Sequence, residues 1–278
     1  MISQKTRRFA LAVAVLMVLG MHHLVRAQQN QQPMSLTVEQ AKEIVAGKNV
    51  ELLQRVTELS VEVAQVLSQY NKGDLRLNRV RAITPEVARA LAPPVGKKGG
   101  VTLWLGLTTI TPEVAKALAA HSRGMLALNA LDKISVEVAR ELAQFRGKLT
   151  LNGLTTLSPE VARELAKHRS KFTLFGLMEI SDEAAEALSD HRGTILLNGL
   201  TKLTSAPLTA KMLKANDGFL NLSKVKTLSD EVVQVFAEYK GRPIRLTGLT
   251  ELSEANAARL RANEKVTLPL KFQKAERQ

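Results

Sequence analysis

Leu149 to Arg169 reads LTLNGLTTLSPEVARELAKHR, and its pattern returns along most of the chain. The Leu157 position recurs at Leu36, Leu59, Ile83, Ile110, Ile134, Ile180, Leu203, Leu228 and Leu252, in steps of 23, 24, 27, 24, 23, 23, 23, 25 and 24 residues. A fixed period in this range marks a repeat architecture. The first half of the unit, Leu149-Thr-Leu-Asn152, alternates apolar and polar residues, the period of a half-buried strand. The second half opens at Ser158, whose hydroxyl can accept from an orphan helix N–H. Pro159 follows at the first helical position, where its missing N–H costs nothing. Glu160 puts a negative charge in the first turn, as the helix dipole favours. Val161, Ala162, Leu165 and Ala166 then share one helix face, with Arg163, Glu164 and Lys167 opposite. The unit is a strand, a tight bend and a helix of about two to three turns.

No such unit folds alone. Ordering each residue costs roughly 1–2 kcal/mol of backbone entropy, and each buried aliphatic side chain returns only about 1.5–3 kcal/mol. Stacked neighbours pair strand with strand and close one apolar core, so stability belongs to the array. These residues resemble the leucine-rich repeat of bacterial surface proteins, over about 235 residues from Ser35 to Leu270. They depart from the plant and animal consensus in lacking an N-x-L turn after the strand; Leu154 takes that place and Gly153 shortens the bend. The resemblance implies an open, right-handed α/β solenoid with short parallel strands on one face and short helices on the other. It also implies a binding role for an exposed face.

Residues 1–27 read as an export signal: Lys5, Arg7 and Arg8, then an uncharged apolar run from Phe9 to Met21, then Val25-Arg26-Ala27 before a cleavage point. The run is shorter than a membrane span requires, although an uncleaved N-terminal anchor is an alternative. Residues 28–34 form a polar linker, 35–270 the repeat array and 271–278 a basic tail. The expected location is therefore outside the cytoplasm, whether periplasmic, on the cell surface or secreted. Losing Lys5, Arg7, Arg8 and Arg26 lowers the formal charge from +13 to +9, which favours anionic partners. With no cysteine in the chain, disulfides, thiolate metal sites and cysteine nucleophiles are excluded.

Ser35 to Asn49 matches only the helical half of a unit, as suits a terminal cap. Strands are then expected around Leu53, Leu77, Leu103, Leu128, Leu151, Leu174, Leu197, Leu222, Leu246 and Leu268, with no helix after the last. Two units are longer than the rest, one by Pro93 to Gly100, the other after Thr204, where Pro207 is expected to delay the helix.

Motifs for catalysis are missing. There is no Gly-rich phosphate loop, H-E-x-x-H or G-x-S-x-G. His121, His168 and His191 share a repeat position with Tyr70, Phe145 and Tyr239, which reads as a packing slot with a polar tip. No metal or cofactor is expected. An enzyme is the remote reading.

Two surfaces remain as candidates. The turn from helix back to strand carries Arg123, Arg146, Lys148, Arg169, Lys171 and Arg192, a basic edge once the units stack. On the strand face, Trp104 and Phe175 replace asparagine in an outward column that includes Asn129, Asn152 and Asn198, whose stacked side chains can bond the backbone of the next turn. Arg76 and Arg245 stand in the neighbouring outward column with Ala127, Thr150, Thr173 and Leu196. The sequence thus points to an exported, non-catalytic binding module for a protein, an acidic polysaccharide or an envelope surface. Nucleic acid is disfavoured, and no transmembrane span is expected after signal removal. A structural envelope component that associates with itself is the second reading.

Overall fold

The computed structural model describes residues 33–92, 102–120, 124–215, 218 and 220–274. Within them, helices alternate with short parallel strands in an α/β repeat fold. The helices are α1 (Val38–Val45), α2 (Val61–Leu67), α3 (Pro85–Ala90), α4 (Pro112–Ala119), α5 (Val136–Leu142), α6 (Pro159–Ala166), α7 (Asp182–Ser189), α8 (Ala206–Lys214), α9 (Asp230–Ala237) and α10 (Glu254–Arg261). Each packs against its successor in the chain. Every one begins after a Ser or Thr whose side-chain oxygen accepts from an amide three residues on, from Thr37 at α1 to Ser253 at α10. One cap of this kind contributes about 1 kcal/mol, so the periodic Ser/Thr sets the phase of every helix.

Strands β1 (Leu75–Leu77), β2 (Thr102–Leu105), β3 (Met125–Ala127), β4 (Lys148–Thr150), β5 (Phe172–Thr173) and β6 (Ile195–Leu196) form one parallel sheet in chain order. Its register aligns Leu75, Leu103, Leu126, Leu149, Phe172 and Ile195. Those side chains and the helix faces beneath them make one continuous core, chiefly Leu, Val, Ile and Ala with Phe172 and a few other large side chains. Leu149, Leu151 and Leu165 have no solvent exposure.

The structure corrects several expectations. Around Leu53 the chain forms a 3-10 helix, Val50–Gln54, in place of a strand. No strand forms around Leu222. Here α8 starts immediately after Ser205, with Pro207 inside its first turn, so proline does not delay the helix. The extra length therefore falls after α8, and the amide of Asn221 bonds to the Asn198 side chain (3.1 Å) instead of a strand partner. Pairing moves to β7 (Lys202–Leu203) with β8 (Thr227–Leu228), and a further pair joins β9 (Ile244–Arg245) to β10 (Val266–Thr267). After β10 comes a 3-10 turn, Leu270–Phe272, where no helix was expected. The start of the basic tail is tied down, since Lys271 donates to the Thr250 carbonyl (2.7 Å) and Phe272 packs on the core. The signal segment, the Pro93–Gly100 insertion, His121 and Arg123 lie outside the described residues. No helix among the described residues is long and apolar enough to cross a membrane.

Candidate functional site

The basic edge is built by register. Arg146, Arg169 and Arg192 each precede by three residues one of the aligned positions Leu149, Phe172 and Ile195. They therefore stand in one column on successive turns, at the helix C-terminal ends where the dipole favours cations. Close backbone approach holds the column together. A Cβ on Gly147 would sit 2.2 Å from the Gly124 carbonyl oxygen, and one on Gly193 would sit 2.2 Å from that of Ser170. Only glycine lets the residues after Arg146 and Arg192 lie so near the preceding turn, whereas Ser170 follows Arg169.

All three arginines are exposed, as is Lys148, while Lys171 is half-buried. Their surroundings separate them from the neighbouring helix cations. Arg163 pairs with Glu160 (3.8 Å), and Lys167 pairs with Glu164 (2.8 Å), which also faces Arg140 (3.7 Å). Arg146, Arg169 and Arg192 have no carboxylate within ion-pair distance among the described residues. Between the ends of α6 and α7, Arg163, Lys167, Arg169 and Arg192 line a groove of about 450 Å³ with Ala166, Ala187 and the single carboxylate of Asp190. The sequence pattern already places Asp190 among the few acids of the basic stripe, but it does not single out Lys167 for this place. The C-terminus of one helix meets the turn of the next only once the units stack.

Beneath the edge lie two fully buried histidines. The rings of His168 and His191 are parallel within 4°, with centroids 6.1 Å apart, and Phe172 meets His191 edge-on at 4.5 Å. His191 places Nδ1 3.3 Å from the Ala166 carbonyl oxygen and Nε2 3.0 Å from that of Ser170. Neither nitrogen of His168 has a partner at hydrogen-bond geometry among the described residues, although the backbone carbonyls of Ala143 and Lys171 favour its charged form. Burial pushes His191 from 6.5 to about 4, against the pull of the Ala166 carbonyl and with help from His168 and Lys211. Burial likewise lowers His168. Both rings are thus neutral packing groups at neutral pH, and no cluster of three or more metal-binding side chains exists among the described residues.

The strand face is less open than its alternation implied. Ala127, Thr150, Thr173 and Leu196, all expected outward, are 1–8% exposed. Asparagine covers two of them. Asn129 Oδ1 accepts from the Thr150 hydroxyl (3.0 Å) and the Asn152 amide (3.0 Å), and Asn152 Oδ1 accepts from the Thr173 hydroxyl (2.8 Å) and the Phe175 amide (3.1 Å). The asparagine column is a ladder that locks turn to turn.

Of the four strand-face candidates, the register brings together Arg76 and Trp104, so Trp104 stands in the column of Ala127 and Thr150 and not, as expected, in that of the asparagines. Trp104 is half-buried, with Arg76 5.3 Å from its ring centroid, and its Nε1–H donates to Asp74 (3.2 Å), which also pairs with Arg76 (3.0 Å). Burial raises the Asp74 carboxyl, but bonds from Thr102, Arg76 and Trp104 outweigh it and hold it below its usual range. The cluster satisfies itself. Phe175 stands three strands away with 37% exposure, beside the more exposed Met178, and Arg245 is exposed on β9, in a different sheet.

No family model matches the chain, and no curated protein matches it. Among solved structures, it is similar to one titled "Crystal structure of Rad7 and Elc1 complex in yeast", at 12% identity and a TM-score of 0.35, over 99% of this chain and 88% of that one.

Proposed function

We propose that this protein is an exported, non-catalytic binding module, an open right-handed solenoid of the leucine-rich type that holds an anionic partner on its basic edge. The observation that carries this reading is the column Arg146, Arg169 and Arg192: three exposed guanidiniums on successive turns, none paired with a carboxylate among the described residues. Helix-dipole compensation accounts for one cation at a helix end, but it does not call for unpaired arginine in matched register three times running. The strand face is the weaker rival, because Trp104, Arg76 and Asp74 already satisfy one another.

The test is binding to acidic polymers as a function of salt. Exposed charges are screened beyond about 8–10 Å at physiological ionic strength, so affinity should fall steeply between low and physiological salt. Neutralising Lys148, Arg169, Lys171 and Arg192 together should reduce binding while leaving the melting temperature nearly unchanged. Affinity indifferent to both salt and the four substitutions would refute the reading. Its export component is checked separately by mass spectrometry of protein from the native host, which should find a mature start at Gln28.

A further inference from the structure

We infer that the groove between the ends of α6 and α7 is a subsite for one carboxylated sugar unit of an acidic polysaccharide. The inference rests on the basic-edge reading above and narrows it to a ligand class. Three features of the groove carry it. Arg169 and Arg192 line the groove from successive turns, whose strands run about 4.8 Å apart, and neither pairs with a carboxylate among the described residues, so two planar forks are available to one small anion. Guanidinium forks match the two oxygens of a carboxylate. The second feature is Asp190, an exposed acid in a groove lined by four cations that pairs with none of them within 4 Å. Lys167 and Arg163 are instead turned to Glu164 and Glu160 on their own helix. A free carboxylate beside an anion site repels every anion, most strongly a doubly charged phosphate or a densely charged polymer, and only a ligand with hydroxyls recovers hydrogen bonds to it. A ligand carrying one carboxylate and several hydroxyls uses both groups. Third, Ala166 and Ala187 supply small apolar walls against which the C–H face of a sugar ring can lie. The volume of about 450 Å³ lies within the range of small-molecule sites and exceeds what a bare ion needs.

The neighbouring Arg146 continues the column one turn away, so a polymer bearing one carboxylate per sugar meets further cations along the edge.

The experiment is calorimetric titration of the full chain with polygalacturonate oligomers, polyglutamate, dextran sulfate and neutral dextran. The proteins compared are the parent, Arg169→Gln with Arg192→Gln, and Asp190→Asn. Polygalacturonate should bind best, and the double variant should weaken it by about tenfold or more, as loss of hydrogen bonds to charged groups does. Asp190→Asn is the diagnostic. It should weaken polygalacturonate several-fold through loss of a hydroxyl acceptor, yet strengthen dextran sulfate and polyglutamate by removing a repulsive charge. Unchanged thermal melts of both variants keep the comparison one of binding. If Asp190→Asn strengthens all three polyanions alike, the sugar subsite is refuted and the basic edge stands as a plain charge surface. Polyglutamate binding tighter than polygalacturonate would assign the groove to an acidic protein and also overturn the inference. Failure of every polyanion to bind would overturn both this inference and the reading beneath it.

Discussion

Lowering the pH from 7 to 5 should destabilise this protein through its buried histidines, and His191 gives the size of the effect. In the folded chain its ring is neutral down to about pH 4, whereas an unfolded histidine takes a proton near 6.5. Because the folded value is the lower one, the unfolded chain binds more protons between the two, and stability falls as pH falls through that window. One unit of pKa difference is worth about 1.4 kcal/mol, so His191 alone should cost about 2 kcal/mol between pH 7 and pH 5 and about 3 kcal/mol once the pH is below 4. His168 adds in the same direction, and a charge on either stacked ring disfavours a second on the other. The comparison variant is His191→Phe, because the equivalent slot one unit before His168 holds the buried ring of Phe145. This variant loses the contacts to the Ala166 and Ser170 carbonyls, at a cost of about 1 kcal/mol at any pH. The informative quantity is therefore the slope with pH. Urea unfolding followed by circular dichroism at pH 7 and pH 5 should show the parent losing about 2 kcal/mol more than the variant. An equal loss in both proteins would refute the assignment of a buried, neutral His191.

Other substitutions test the core and the links between turns. Leu151→Asp places an unpaired charge in the fully buried interior and should abolish the cooperative thermal transition. Asn152→Ala removes an acceptor shared by the Thr173 hydroxyl and the Phe175 amide, with an expected cost of about 1–3 kcal/mol in denaturant midpoint. Ser158→Ala removes the cap of α6 and should cost about 1 kcal/mol, with the largest loss of hydrogen-exchange protection in the first turn of that helix.

The repeat was legible because its signals are local. Ser158, Pro159 and the spacing of Val161, Ala162 and Leu165 specify a helix start and its buried face without reference to any other turn. The glutamates at the helix starts were legible for the same reason: Glu160 is held below its usual range by its own backbone N–H and the Ser158 hydroxyl. What the sequence did not reveal depends on pairing between turns. The asparagine column foretells bonds to the backbone of the next turn, but the alternation at Thr150 and Thr173 does not show that the same side chains also cover those hydroxyls. Two added residues near α8 were visible as length, yet their consequence, loss of the strand at Leu222 and pairing at β7 and β8, follows from which amide finds which acceptor. Trp104 reads as an exposed anchor until Asp74, thirty residues away, appears beside its indole N–H. The basic edge and its few acids, Asp190 among them, were foreseeable from the periodic sequence, but the groove that gathers them between α6 and α7 was not.

The glycines at the foot of the arginine column separate pitch from chemistry. Gly147 and Gly193 fix the distance between turns through main-chain contact, in which the arginines themselves take no part. With the strand register that aligns the Arg169 turn as well, positions 146, 169 and 192 can be rewritten with acids, aromatics or amides while the lattice that presents them stays the same. In engineering terms the edge is an addressable row with a spacing set by the backbone, and the number of occupied addresses sets the valency. Where each address contributes to one continuous ligand, avidity multiplies across them, so changes in specificity at this edge need no change in fold.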